Sequence, residues 1–201
     1  MKTLIKTISS ESIIKGSRFL SELIPCSSQA EAREILKNQK IKYADSTHVV
    51  HAFITGKNAE IMGMSDDGEP SGTAGRPVLD ILKGSGVTNV ILTVTRWFGG
   101  TLLGTGGLVK AYGNGAKDVL QAANEEHAFE ELVEKTYFSF QTDYSLYKIF
   151  KNHFTEFHLF DISENFGTEV TISGKIRADE TNKFSNLITE ISNGRNTLTV
   201  I

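Results

Sequence analysis

Cysteine is nearly absent from this chain. Cys26 is the only one in 201 residues, so no internal disulfide framework exists and no multi-cysteine zinc site can form within one chain. Proline is scarce as well, with three residues, and tryptophan is represented by Trp97 alone. No apolar run is long enough to cross a bilayer, and no charged-then-apolar leader opens the sequence. The expectation is a soluble, unexported, cytoplasmic protein with no membrane partner and no disulfide partner. Charge of one sign is also lacking overall, since the net value is −3. Division of the chain changes that picture. Residues 1–124 carry 14 Lys or Arg against 11 Asp or Glu, whereas residues 125–201 carry 7 against 13. The first half permits phosphate contact without having the basicity of a dedicated nucleic-acid arm.

Glycine is abundant, and it is concentrated. Thirteen of the 18 glycines lie between Gly63 and Gly115. Nine of these fall in two phrases, SDDGEPSGTAGRP from Ser65 to Pro77 and TRWFGGTLLGTGGLVKAYG from Thr95 to Gly113. Glycine allows backbone conformations that other residues avoid and lets a ligand or a second backbone come close. Carboxylates, two arginines and a Trp-Phe pair are set among these glycines, which points to a recognition surface.

Periodicity places these phrases on elements. Ser17 to Ile24 reads as a strand. Ser28 and Glu31 form a capping-box pattern before a helix that closes near Asn38. THVVHAFI is a strand ending at Gly56, with a hairpin to AEIMGM. Pro77 suits the first turn of a helix whose buried stripe is Val78, Ile81 and Leu82, with Gly84 as its C-terminal cap. Val90 to Thr95 is apolar on both faces and is expected at the centre of a covered sheet. A helix from Leu108 to Ala123 follows. Its stripe is Leu108, Ala111, Gly115, Val119 and Ala122, and Gly113 and Gly115 suggest close packing on a neighbour. The acidic stretch NEEHAFEELVEK marks a boundary, giving expected domains over 1–130 and 131–201. Beyond it come a strand (Thr136, Phe138, Phe140), a helix capped by Asp143 and carrying Leu146, Ile149, Phe150 and His153, and a strand through Leu159 and Ile162. After the turn at Gly167 come a strand with Val170, Ile172 and Ile176, a helix capped by Asp179, and a last strand from Leu198 to Ile201. That order is βαββαβ, a ferredoxin-like arrangement, so the fold class is α+β in two domains.

The chemistry open to these residues is limited. Free N–H groups of the GGTLLGTGGL segment at a helix start attract anions, with Arg96 as cationic partner. The plainer alternative is tight strand–helix packing. The glycine spacing fits neither a P-loop nor a dinucleotide fingerprint. Asp66, Asp67 and Glu69 could hold a divalent cation or supply a base; the plainer reading is a turn with Arg-paired carboxylates. His48 and His51 lie on opposite faces of a strand, so they cannot chelate one ion together. Cys26 reads as a small buried thiol. Trp97 and Phe98 either plug the core or offer a face for stacking on a base. No cofactor, resident metal or catalytic residue is expected.

The segments KGSRF at 15–19, THVVHAF at 47–53, DDGEPSGTAGRPVLDIL at 66–82 and TRWFGGTLLGTGGLVKAYG at 95–113 resemble, together and in order, the signature of the Impact/YigZ family. Trp97 stands where the family often has tyrosine. The second domain resembles the C-terminal domain of bacterial YigZ-type members in length and pattern. The resemblance implies an Impact domain similar to domain IV of elongation factor G and to the second domain of a small-subunit ribosomal protein. It also implies a C-terminal domain similar to domain V of that factor. Eukaryotic relatives are translational regulators with a different accessory domain, so their partner is not transferred. A peptidase label is not supported by any metallopeptidase ligand pattern or nucleophile triad here.

The resulting expectation is a translation-linked regulatory or binding protein that touches RNA, the ribosome or a translation factor. Contact is expected through Arg76, Arg96, Trp97, Gly99, Gly100, Gly104, Thr105, Gly106 and Gly107, with Asp66, Asp67 and Glu69 shaping the surface or holding a metal. The alternatives are an enzyme acting on a phosphate-bearing small molecule or nucleotide, and a protein–protein adaptor.

Overall fold

The computed structural model describes residues 1–200. The chain forms two compact units, one over Met1–Leu132 and one beginning at Val133. No described helix is long and apolar enough to cross a membrane.

The first unit runs β1 (Lys2–Leu4), β2 (Ile8–Ile14), β3 (Ser17–Pro25), α1 (Gln29–Lys42), β4 (His48–Thr55), β5 (Ile61–Ser65), α2 (Gly75–Gly84), β6 (Val87–Thr88), β7 (Val90–Trp97), α3 (Thr105–Glu125) and β8 (Phe129–Glu131). Five strands form an antiparallel sheet in the order β2-β3-β7-β4-β5, and three short ones pair as β6-β1-β8. The expected double burial of β7 holds, because it occupies the centre and Val90–Arg96 are all buried. Alternation along the strands then sorts the core. Val90, Leu92 and Val94 meet Val50, Ala52 and Ile54 beneath Val78 and Leu82 of α2 and Tyr112, Ala116 and Val119 of α3. Ile91 and Phe53 turn the other way, toward Cys26 and Ala32 near α1.

Local signals worked where a side chain fixes the backbone. Ser28 accepts from the Glu31 amide at the start of α1. The Glu31 carboxylate, however, reaches the amide and hydroxyl of Ser27, one residue before the cap. Two helices extend beyond their expected bounds. α1 continues past Asn38 to Lys42, and α3 begins at Thr105, inside the glycine phrase. Gly84 remains helical; Ser85 caps α2, and Gly86 takes the left-handed conformation at φ +69°. The short strands β1, β6 and β8 have too few residues to show a period, and β2 has no apolar alternation, since Ser10 and Ser12 take the inward positions between Ile8 and Ile14 while Ile13 faces solvent.

The second unit runs β9 (Lys135–Thr142), α4 (Tyr144–His153), β10 (Leu159–Phe166), β11 (Val170–Arg177), α5 (Thr181–Ile191) and β12 (Thr199–Val200). Its sheet is antiparallel in the order β10-β11-β9-β12, the ferredoxin-like topology that the element order implies. Asp143 caps α4 through the Leu146 amide. Asp179 does not cap α5. It lies in a 3₁₀ turn at Ala178–Glu180 and pairs with Arg177. Ile201, placed by the sequence at the end of the last strand, lies outside the described residues.

Candidate functional site

The two glycine phrases meet around one end of the central strand. Arg96, the penultimate residue of β7, stands opposite His48 in the β4–β7 register. Both side chains share the sheet face covered by α2 and α3. Glu69 reaches the same place from the first phrase. Its Oε1 accepts from Arg96 Nη1 at 2.6 Å and from the Tyr112 hydroxyl at 2.7 Å. The Arg96 and Glu69 side chains are 6% and 3% exposed, so this is an interior ion pair. Arg96 Nη2 lies 3.4 Å from Ser17 Oγ, and its guanidinium sits between the rings of Phe19 and Phe98 at 5.5 and 5.6 Å. Burial drives the Tyr112 hydroxyl far above its ordinary value, and the Glu69 carboxylate adds to that shift. His48 Nδ1–H donates to the Asp67 carbonyl at 2.7 Å, and His48 Nε2 is 3.9 Å from Glu69 Oε2.

Above this cluster opens a cleft of about 480 Å³. Glu69, Arg96 and His48 border it together with Gly104 and Thr105, and Phe98, Leu102 and Leu103 form its apolar wall. Phe98 is 47% exposed and Leu102 is 82% exposed, so the mouth of one cleft presents two large apolar side chains to solvent.

That loop is held by backbone proximity. A side chain at Gly99 would overlap the Gly16 carbonyl, so the tip of the β2–β3 hairpin and the 98–100 segment touch main chain to main chain. The Gly99 amide also donates to Ser17 Oγ at 3.1 Å, and the Phe98 amide to Thr47 Oγ1 at 3.0 Å. Gly104 adopts φ +73° and opens α3 with no side-chain cap.

The acidic trio does not converge. The Asp66 carboxylate accepts the amides of Gly72, Ala74 and Gly75 at 2.9, 3.1 and 2.8 Å, closing the loop before α2. Asp67 accepts the Val49 amide at 2.7 Å and pairs with Lys40. Only Glu69 of the three lines the cleft. The arginines also separate. Arg76 is exposed on α2 and pairs with Asp80 one turn away. Trp97 lies on the opposite sheet face from Arg96, where its indole N–H donates to Asp45 at 2.9 Å and the Arg18 guanidinium covers its ring at 4.4 Å. Gly99 and Gly100 are in the loop beneath Phe98, while Gly106 and Gly107 form the first turn of α3.

His48, Phe98 and Leu102, which border the cleft, and Tyr112, which holds Glu69 beneath it, are not among the site residues that the sequence singled out. Tyr112 is four residues from Leu108, on the buried stripe of small residues, and that position was its available signal. His51, on the other face, is half-buried, and its Nδ1 atom is buried without a hydrogen-bond partner. Burial first, and the Lys40 charge second, hold its pKa below the ordinary value, against the opposing pull of Asp67. Cys26 is buried, and its thiol is pushed up by that burial.

Comparison with known proteins places each part of the chain in a family. The Impact N-terminal domain family matches residues 15–120, and a domain of unknown function (DUF1949) matches residues 140–195. The chain is similar to the IMPACT family member YvyE of Bacillus subtilis, at 34% identity over 92% of this chain and 83% of that one. It is similar to the IMPACT family member YigZ of Escherichia coli, at 43% identity over 54% of each. A crystal structure described only as a hypothetical protein superposes with a TM-score of 0.68 at 29% identity, covering 100% of this chain and 96% of that one. The signature segments, the matched domains and the similarity along most of the chain place this protein in the Impact family.

Proposed function

We propose that this is a translation-linked regulatory binding protein, which contacts RNA, the ribosome or a translation factor through the face built by its two glycine phrases. Family membership supports the link to translation, because the resemblance implies translational control among eukaryotic relatives. The observation that carries the contact surface is the cleft mouth. There, Phe98 and Leu102 stand exposed on a loop held by glycine contact, beside a helix start whose dipole favours negative charge. The enzymatic alternative receives less support. Asp67 is engaged by Val49 and Lys40, and Glu69 by Arg96 and Tyr112, which leaves neither poised as a base.

The test is co-sedimentation of the purified protein with ribosomes and binding to single-stranded RNA over stepped salt. Binding is expected at low salt, weakening as salt rises, and weaker in a Phe98→Ala, Leu102→Ala variant. Arg76→Ala, an exposed change, is expected to flatten the salt dependence. No binding at low salt, or full binding by the double variant, would refute this role for the face.

A further inference from the structure

The two glycine phrases end at helix starts that differ in one respect. At α2 the amides of Gly72, Ala74 and Gly75 are occupied by the Asp66 carboxylate. At α3, a 21-residue helix, Leu108 donates to Gly104, but Gly104 has no side chain to cap the amides of Thr105, Gly106 and Gly107. The first turn of α3 contains no acidic residue. An uncapped start is not in itself a site. A second feature lies beside it, bordering the same cleft. Arg96 is 5% exposed, and its Nε–H is buried with no acceptor. An orphaned donor on a buried guanidinium is rare in a folded protein and marks a place where an acceptor belongs. Glu69 also borders the cleft, but its charge is already matched by Arg96 at 2.6 Å.

The walls add the other half of the ligand. Pro70, Phe98, Leu102, Leu103 and Leu108 line the cleft, so a bare inorganic anion would leave most of that surface uncovered. Phe98 offers a ring for stacking, and the cleft volume is within the range of small-ligand sites, roughly 300–1,000 Å³. We propose that this cleft binds a single nucleoside monophosphate unit, with the phosphate at the Gly104–Thr105 start of α3, where its oxygens supply the acceptor that Arg96 Nε–H lacks, and the base against Phe98 and Leu102. The unit is either a free nucleotide or an unstacked nucleotide of single-stranded RNA. The proposal rests on the binding reading above and gives that face a ligand chemistry.

The experiment titrates the full chain with UMP, uridine and inorganic phosphate, and then competes bound UMP with a 5′-phosphorylated eight-residue uridine RNA. UMP is expected to bind roughly tenfold or more tightly than either uridine or phosphate. Phe98→Ala is expected to weaken UMP binding. Thr105→Glu is the decisive variant. An acid in the first turn favours the helix, so folding is retained, while its charge repels the phosphate. A loss of roughly tenfold in UMP affinity with an unchanged thermal midpoint is expected. Displacement of UMP by the RNA identifies RNA as the source, and no displacement identifies a free nucleotide. Equal affinity for UMP and uridine, absence of UMP binding, or full UMP affinity in Thr105→Glu would overturn the proposal. If RNA or ribosome binding persists in any of those cases, the broader binding function stands without this ligand. If native protein binds neither, that broader function fails as well.

Discussion

Both units are antiparallel sheets with helices packed on them, yet their interiors are built differently. The second unit is closed by phenylalanines: Phe138, Phe140, Phe150, Phe157 and Phe184 pack together, mostly edge to face, with ring centroids as close as 5.0 Å. Its buried polar residues among those described are Thr142 and Ser192. The first unit has a mostly aliphatic core, and near one end of β7 it buries a glutamate, an arginine and a tyrosine hydroxyl bonded to one another. Phenylalanines fill space without needing a partner. A buried ion pair has to be satisfied atom by atom, and it gains its attraction only by offsetting a large desolvation cost. Such an arrangement makes one end of a sheet sensitive to single atoms. The candidate site lies in that unit and at that end.

Breaking the pair is the most severe test of this contrast. Arg96→Ala leaves Glu69 buried and uncompensated, and is expected to cost about 3–5 kcal/mol in urea unfolding. Arg96→Met with Glu69→Leu removes both charges and is expected to cost clearly less than Arg96→Ala alone. An equal or larger cost would mean that the pair is not what organises this end. In the second unit, Phe184→Ala should cost about 3–5 kcal/mol through cavity formation alone. Hydrogen exchange is expected to rise across residues 133–200 while β7 and α3 retain protection. Loss of protection in both units would erase the distinction between their cores.

Two smaller effects sharpen the comparison within the first unit. Asp66→Ala removes the acceptor for three amides and should cost about 1 kcal/mol at neutral pH. Burial pushes the Asp66 carboxyl up, but the Gly72, Gly75 and Ala74 amides together outweigh it and hold the group below its ordinary 3.8. The folded state therefore binds this proton less readily than the unfolded chain. The Asp66 contribution is complete above the unfolded value and fades as pH falls through the folded one. The stability gap between native protein and variant should narrow on acidification in denaturant titrations between neutral pH and pH 3. Gly113→Ala should stabilise by about 0.5–1 kcal/mol, because nothing lies within 4 Å of the added methyl and the helix gains propensity. A cost there would indicate a contact on α3 that the fold does not show.

Much of the fold was legible from patterns with a local cause. Ser28 and Asp143 announce their helices because each cap is a short-range bond, and β7 announces its central place because both faces are apolar. The site was legible as a region but not as an arrangement. Arg96 and Trp97 are neighbours in sequence, and strand alternation sends them to opposite faces. Asp66, Asp67 and Glu69 lie within four positions, yet a turn with positive φ at Asp67 and Gly68 points them at three different partners. Gly115 fulfils the expected close approach, since a methyl there would meet Ser21 Oγ at 2.6 Å, whereas Gly113 does not. That difference depends on which side of α3 faces β3, a question of tertiary contact.

The contact between Gly16 and Gly99 has a mechanical consequence. Each position excludes a side chain because main chain, not a movable group, occupies the space. A substitution at one cannot be relieved by any substitution at the other. The β2–β3 hairpin and the Phe98 loop are therefore fitted main chain to main chain, and a side chain at either glycine would have to part them beside the mouth of the cleft.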